Sequence, residues 1–306
     1  MSASGGRPFD SGECEVLIAR VIADQTALSA HLDAVVHAIE ASGAKVLGAD
    51  PLASDDGVLQ LMVNHGEAAV LRGVIDRHFV PSDLLITDHL PQVPVVFVSD
   101  MDSTMIGQEC IDELADFAGI KDQIAAITER AMQGELDFLA ALTERVRLLA
   151  GLGEDAIQQC LDQRIRDMPG AAMLVATLKA HGCVTVLVTG GFHAFADPVA
   201  ARLGFERVVG NRLAVAQGKL TGGLVGDIVD SAVKARVLRE SVAAADGAHS
   251  LATGDGANDI PMLEAASYGV ACYAKPKARA AANGAVDRGD LTSVLRLLGI
   301  AQAEWA

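Results

Sequence analysis

Val95-Val96-Phe97-Val98-Ser99-Asp100-Met101-Asp102-Ser103-Thr104 is the stretch on which the reading of this chain turns. Val95–Ser99 is an apolar run of strand length, and it leads without a spacer into Asp100. In open parallel sheets the crevice beyond the carboxyl ends of the strands is where ligands bind. Two carboxylates two residues apart at such a position invite a divalent cation or an acid/base pair, although surface loops also produce Asp-x-Asp. A calcium loop of the EF-hand type does not fit, because its sixth position would be Met105 and its twelfth Ile111.

Downstream, Gln108–Phe117, Lys121–Met132, Asp137–Leu149 and Glu154–Ile165 have helical periodicity, punctuated by Gly119, Gly134 and Gly151–Gly153. After Pro169-Gly170 the pattern alternates. Helices are predicted at Ala171–His181, His193–Leu203, Ser231–Ala244, Pro261–Ala266 and Thr292–Leu298. Strands are predicted at Val184–Val188, Ser250–Thr253 and Gly269–Cys272, with a Gly-rich hairpin over Val208–Gly226. This predicts an α/β domain over 93–306, a doubly wound parallel (Rossmann-like) sheet with a helical insertion at about 107–165 after its first strand.

Upstream, the order is β-α-β-β-α-β: Glu13–Val21, Thr26–Ala41, Lys45–Ala49, Val58–Val63, Glu67–His78 and Asp83–Thr87. That is the order of a ferredoxin-like α+β domain, here over 13–92. It resembles ACT-type regulatory domains, and a spacer or dimerisation module without a ligand has the same pattern. Pro91-Gln92-Val93-Pro94 is expected to separate the two units, and the Ser/Gly-rich residues 1–12 to form a flexible tail without the features of a signal peptide.

Of the 306 residues 51% are hydrophobic, which excludes a disordered or coiled-coil chain. The net charge is 24 − 40 = −16, which argues against nucleic acid and anionic membranes as partners. It is also an awkward background for a phosphate-bearing ligand. Residues 1–92 hold 5 basic and 13 acidic side chains, or −8, so half of the excess lies outside the α/β unit. The five cysteines (Cys14, Cys110, Cys160, Cys183, Cys272) are scattered without metal-site spacing, and no apolar run approaches a membrane span. A cytoplasmic, reduced chain is expected.

Gly254-Asp255-Gly256-Ala257-Asn258-Asp259 also follows an apolar strand, and two aspartate clusters at the ends of parallel strands converge on one oxygen-ligated magnesium ion. It is not a dinucleotide fingerprint, since Asp259 stands where the third glycine would, and no phosphate loop of the GxxxxGK[ST] type occurs. Val188-Thr189-Gly190-Gly191-Phe192 ends a third strand with a hydroxyl and two glycine amides suited to a phosphate oxygen. Lys234, taken alone, reads as a solvated surface lysine.

In this order, strand-DxDST, strand-TGG, Lys and strand-GDGxND resemble the motifs of the haloacid dehalogenase-like superfamily. Asp100–Glu109, Ala131–Phe138 with Arg145-Val146, Gly210–Leu213, Gly218–Gly222, Ala274-Lys275-Pro276 and Arg288–Leu291 narrow the likeness to its phosphoserine phosphatase family, over roughly Val95–Leu298. The resemblance implies Asp100 as nucleophile and Asp102 as general acid/base. It implies magnesium on Asp100, the backbone carbonyl of Asp102, and Asp255, with Asp259 nearby or through water. Thr189, Gly190, Lys234 and Asn258 would hold phosphate. Glu109 would meet the ammonium and Arg145 the carboxylate of O-phospho-L-serine, under a helical cap closed by Met132 and Phe138. A phosphotransferase to another hydroxyl amino acid, or a phosphatase for a different small ester, would use the same site. A homodimer is a further expectation. Thr189 replaces the serine usual in the family, and His193 is expected on the surface.

Overall fold

The computed structural model describes residues 16–132, 135–245 and 248–306. The expected tail over 1–12, Cys14 and the turn glycine Gly134 lie outside the described residues.

The N-terminal unit contains β1 (Val16–Ile22), α1 (Gln25–Ala41), β2 (Lys45–Leu52), β3 (Asp55–Asn64), α2 (Ala68–His78) and β4 (Asp83–Thr87). β1 lies between β3 and β4, antiparallel to both, with Ala19 opposite Leu61 and Ile86. Both helices bury apolar positions on this sheet, so Val35, Ile39, Leu71 and Ile75 pack with Val21, Leu61 and Leu84. Asp24 starts α1 by accepting hydrogen bonds from the N–H groups of Thr26 (2.9 Å) and Ala27 (3.2 Å).

The strand that ends at Asp100 is β5 (Val96–Ser99). Four helices follow, α3 (Cys110–Phe117), α4 (Lys121–Met132), α5 (Phe138–Leu148) and α6 (Asp155–Arg164). The chain then runs through α7 (Ala171–Ala180), β6 (Val184–Phe192), α8 (His193–Leu203), the hairpin β7 (Arg207–Ala216) and β8 (Lys219–Val225), and α9 (Ser231–Ala245). It ends with β9 (Ser250–Gly254), α10 (Ile260–Ala265), β10 (Tyr268–Cys272), α11 (Pro276–Ala281), β11 (Gly284–Val286) and α12 (Thr292–Leu298). β5 sits between β6 and β9, parallel to both. Its side chains alternate between two cores: Val96 and Val98 pack with Leu238, Met262 and Leu263, while Phe97 joins Leu174 and Phe195 on the opposite face. Both faces of the strand are therefore covered, as a parallel sheet requires.

The two units flanking Pro91–Pro94 share one sheet. β4 pairs antiparallel with β11, Leu85 opposite Gly284 and Leu84 opposite Ala285. The result is one eleven-stranded sheet among the described residues, in the order β2-β3-β1-β4-β11-β10-β9-β5-β6-β7-β8. Small residues allow this join, since a Cβ on Gly284 would lie 3.0 Å from the Leu84 carbonyl. Ion pairs reinforce it: Arg279 bridges Asp76 and Asp287, each at 2.7 Å, and Arg296 pairs with Asp55 at 2.5 Å. The segment between the units is also tied down, because Gln92 N donates to Tyr268 Oη at 2.9 Å.

Candidate active site

Asp100 leaves β5 with its N–H bonded to the Thr253 carbonyl of β9 at 2.9 Å, which sets the two strand ends side by side. Its Oδ1 accepts from Met101 N at 2.8 Å. The chain then turns tightly: Met105 N and Ile106 N both donate to Met101 O, at 2.8 and 3.1 Å, and Ser103 takes the left-handed φ of 53°. This turn brings Asp102 to the first N–H of α3, so that Cys110 N donates to Asp102 Oδ1 at 3.1 Å. Gly191 makes room for the carboxylate, because a Cβ there would lie 2.8 Å from Asp102 Oδ2.

At the end of β9, Asp259 folds back under Asp255, and its Oδ2 accepts from Asp255 N (3.1 Å) and Gly256 N (3.0 Å). Gly254 permits this, as a Cβ there would stand 2.5 Å from Asp259 Cγ. Lys234 of α9 reaches in behind, its Nζ 2.8 Å from Asp100 Oδ1 and 2.7 Å from Asp259 Oδ1. The surface reading of Lys234 is corrected: with 1% of its side chain exposed it is a buried cross-link between the two aspartate clusters. Thr189 is buried and accepts from Gly191 N at 2.9 Å through Oγ1. His193 is not on the open surface either. Its side chain is 13% exposed, with Nδ1 2.8 Å from Asp197 Oδ1 one helical turn on.

These side chains surround a cavity of about 370 Å³. Asp100, Asp102, Thr189, Gly190, Asp255, Asn258 and Lys275 line it at the strand ends, and Glu109, Asp112, Thr128, Phe138, Leu142 and Arg145 line it from the helices. Lys234 and Asp259 adjoin this lining through Asp100. Of the expected site residues, the side chain of Met132 lies outside the described residues. A larger recess of about 620 Å³, bounded by Asp55, Asp56, Arg296 and Trp305, holds none of these clusters, and its arginine is already paired with Asp55.

Burial and the neighbouring Asp259 push the Asp100 carboxyl well above the usual range, with Lys234 opposing. Burial and Glu109 raise Asp102 to about 7. Asp255 is raised by burial, with Lys275 pulling the other way at 3.5 Å. Burial works against the charge on Lys234, but Asp100 and Asp259 outweigh it. Arg145 is lowered by burial, and Asp112 and Glu109 support its charge. Burial likewise raises the thiols of Cys110, Cys160, Cys183 and Cys272, which disfavours the thiolate a cysteine nucleophile needs.

The donor set fits a hard cation. Asp100, Asp255 and Asp259 are buried, and each offers an oxygen within 4.8 Å of the others. Three carboxylates face the ammonium groups of Lys234 and, at 3.5 Å from Asp255, the largely exposed Lys275, so 3 − 2 = 1 negative charge is left over if all are ionised. Asp259 has both oxygens engaged by protein donors, which leaves Asp100 and Asp255 the freer ligands.

The family model for haloacid dehalogenase-like hydrolases matches residues 97–264. A phosphoserine phosphatase of Albidiferax ferrireducens is 42% identical over 236 residues, 75% of this chain and 97% of that protein. The chain belongs to the phosphoserine phosphatase family of the haloacid dehalogenase-like hydrolases. Two solved structures agree. A probable phosphoserine phosphatase of Vibrio cholerae superposes with a TM-score of 0.71 at 29% identity, covering 95% of this chain and 88% of its own. A substrate-bound phosphoserine phosphatase gives 0.62 at 33% identity, covering 66% and 97%.

Within this family site, sequence reasoning gave no role to Asp112, Thr128, Lys275 or Asn211. Asn211 accepts from Val229 N at 2.9 Å and donates to Gly190 O at 2.7 Å, so it fixes the glycine turn. A lone asparagine on a strand has no local signal for such a task. Asp112 is one helical turn from Glu109, a spacing that places both on one face of α3.

Proposed function

We propose that this phosphatase hydrolyses O-phospho-L-serine to L-serine and phosphate with magnesium, as the last step of L-serine biosynthesis in the cytoplasm. The observation that carries the reading is the cavity itself. A buried carboxylate–lysine cluster stands at the strand ends, and Glu109 and Arg145 line the same cavity from the helices.

Asp100 is the nucleophile. One of its carboxylate oxygens attacks phosphorus as the bond to the serine oxygen breaks, and Asp102 gives that oxygen a proton. Asp102 then takes a proton from the water that attacks the aspartyl-phosphate, which releases phosphate and restores Asp100. An ammonium carries three N–H donors, and Lys234 spends two on Asp100 and Asp259, so one is left for a phosphoryl oxygen. Thr189, the Gly190 amide and Asn258 hold the remaining oxygens. Asp100, Asp255 and the carbonyl of Asp102 would hold magnesium, with Asp259 behind them, and the ion would supply positive charge against the gathering anions. Glu109 receives the substrate ammonium and Arg145 its carboxylate.

In this reading α3–α6 form a helical cap over about 107–165, and Phe138 closes over the substrate. Phe138 is 39% exposed, and its ring would touch a Cβ on Gly190 at 3.4 Å. The N-terminal strand order β2-β3-β1-β4 supports a ferredoxin-like, ACT-type unit over 13–92 with a regulatory or dimerising role, beside the phosphatase domain of 93–306. Among the described residues no helix is long and apolar enough to cross a membrane. Phosphate release from phosphoserine with magnesium and with EDTA tests the reading. Release is expected only with the metal, and equal release in both overturns it.

A further inference from the structure

Ala274-Lys275-Pro276 and Arg288-Gly289-Asp290-Leu291 take no part in the chemistry above, yet both belong to one hydrogen-bonded frame. Its centre is a carboxylate from outside the phosphatase unit. Asp83 opens β4 and is fully buried. Its Oδ1 accepts from the backbone N–H groups of Asp287, Arg288 and Gly289 at 2.9, 2.8 and 3.2 Å. Its Oδ2 accepts from Gly289 N at 3.0 Å and Ser293 Oγ at 2.6 Å. A Cβ on Gly289 would stand 2.7 Å from Asp83 Oδ2 and 2.2 Å from Ser293 Oγ, so the loop closes on the carboxylate only with glycine there. A buried carboxylate is retained where donors replace its lost water. Here every one of those donors comes from the phosphatase unit, and most are loop amides that the charge holds in one direction.

Two routes run from this loop to the site. In the first, Tyr273 Oη donates to the Gly289 carbonyl, and Tyr273 N donates to Val286 O at 2.9 Å. Those bonds hold Tyr273 in the left-handed region, at φ 46°, where a bulky residue is strained. Two residues on, Lys275 N donates to Asp255 O at 2.9 Å, and Lys275 Nζ faces Asp255 Oδ2 at 3.5 Å. In the second, Leu291 N donates to Pro169 O at 3.0 Å, Met168 N to Met105 O at 2.9 Å, and Met105 N to Met101 O at 2.8 Å. That last bond closes the turn that carries Asp102.

We propose that Asp83 is a positioning residue for the hydrolysis. The N-terminal unit supplies the anion that sets residues 287–291, and through them the placement of Asp255, Lys275 and the Asp102 turn. The proposal rests on the phosphatase reading of the cavity. It makes the N-terminal unit part of the active-site frame as well as an attachment to it.

The full chain is compared with Asp83→Asn, Tyr273→Phe and Arg296→Met for phosphate release from phosphoserine and for the rise in Tm that magnesium produces. Asp83→Asn is expected to lower kcat about 10- to 100-fold, the scale of a sub-ångström to ångström misplacement, and to shrink the magnesium-induced rise in Tm. Its KM should change less than kcat, because Arg145 is not on the frame and Glu109 meets it only through Ser103 Oγ. Tyr273→Phe leaves Asp83 and its donors intact and should lower kcat about fivefold. Arg296→Met opens the same interface at its Asp55 pair, one helical turn beyond Ser293 but on neither route, and should lower Tm while keeping the wild-type kcat.

A folded Asp83→Asn with wild-type kcat and magnesium response overturns the proposal. So does an Arg296→Met that loses as much kcat, because the interface would then act only through stability. Should Asp83→Asn not fold, Tyr273→Phe decides by the same readouts. A wild-type chain inert on phosphoserine overturns the phosphatase reading and this proposal together, whereas an active wild type matched by its variants overturns the proposal alone.

Discussion

Where the cavity meets the strand ends Asp100, Thr189 and Asp255 lie buried, whereas Glu109, Phe138 and Arg145, which line it from the helices, stand partly in solvent. Asp100 and Asp259 are cross-linked through Lys234, and Asp255 is braced from the backbone. Glu109 has an exposed carboxylate held by Ser103 Oγ at 2.7 Å, and Phe138 is 39% exposed. Phosphoryl transfer depends on preorganised charge, which low-dielectric burial strengthens. Recognition of a substrate's free groups needs an opening through which it can enter and leave. The two sets therefore predict different responses to substitution, rate and stability at one and apparent affinity at the other.

The largest effect should come from Asp100→Asn, which removes the carboxylate charge of the proposed nucleophile while keeping the shape. A fall in kcat on the order of 10⁴-fold or more is expected in a phosphate-release assay, with the circular dichroism of wild type. Next is Lys234→Met, which leaves Asp100 and Asp259 buried without their shared cation. Urea unfolding without magnesium should show a loss of about 3–5 kcal/mol, together with loss of activity. Equal stability would mean that the buried cross-link contributes little.

In the helix-borne set, Arg145→Ala should raise KM for phosphoserine about 10- to 100-fold while sparing phosphoethanolamine, which lacks the carboxylate. A matching loss on both esters would remove Arg145 from recognition. Glu109→Gln should be the mildest, raising KM about three- to tenfold, because its carboxylate is exposed and screened. Its effect should shrink as salt is raised, and a salt-independent loss of kcat would move Glu109 to the chemical set.

How much of this was legible in the sequence follows from the range of each interaction. α8 and α12 occupy the spans their periodicity predicts, His193–Leu203 and Thr292–Leu298, and Asp100 and Asp255 sit at strand ends as apolar runs followed by Asp foretell. The sheet's continuity was not legible. β11 is the three residues Gly284–Val286, too short to show a period, and its partner β4 is about two hundred residues away in the chain. The burial of Lys234 was hidden for the same reason, since a helix position says nothing of the two loops that close over it. Asp83 likewise reads as the polar start of a strand until the loop that donates to it is in place. The net charge of −16 proved a poor guide to the ligand, because the residues lining the cavity set the local balance.

The most direct test of the central claim is rapid acid quenching of the enzyme during turnover of phosphoserine, followed by peptide mass spectrometry. The account predicts a phosphoryl group on Asp100 that appears before steady-state phosphate release and is absent in Asp100→Asn. Turnover at the wild-type rate by Asp100→Asn, or a phosphoryl group on a different residue, would contradict it.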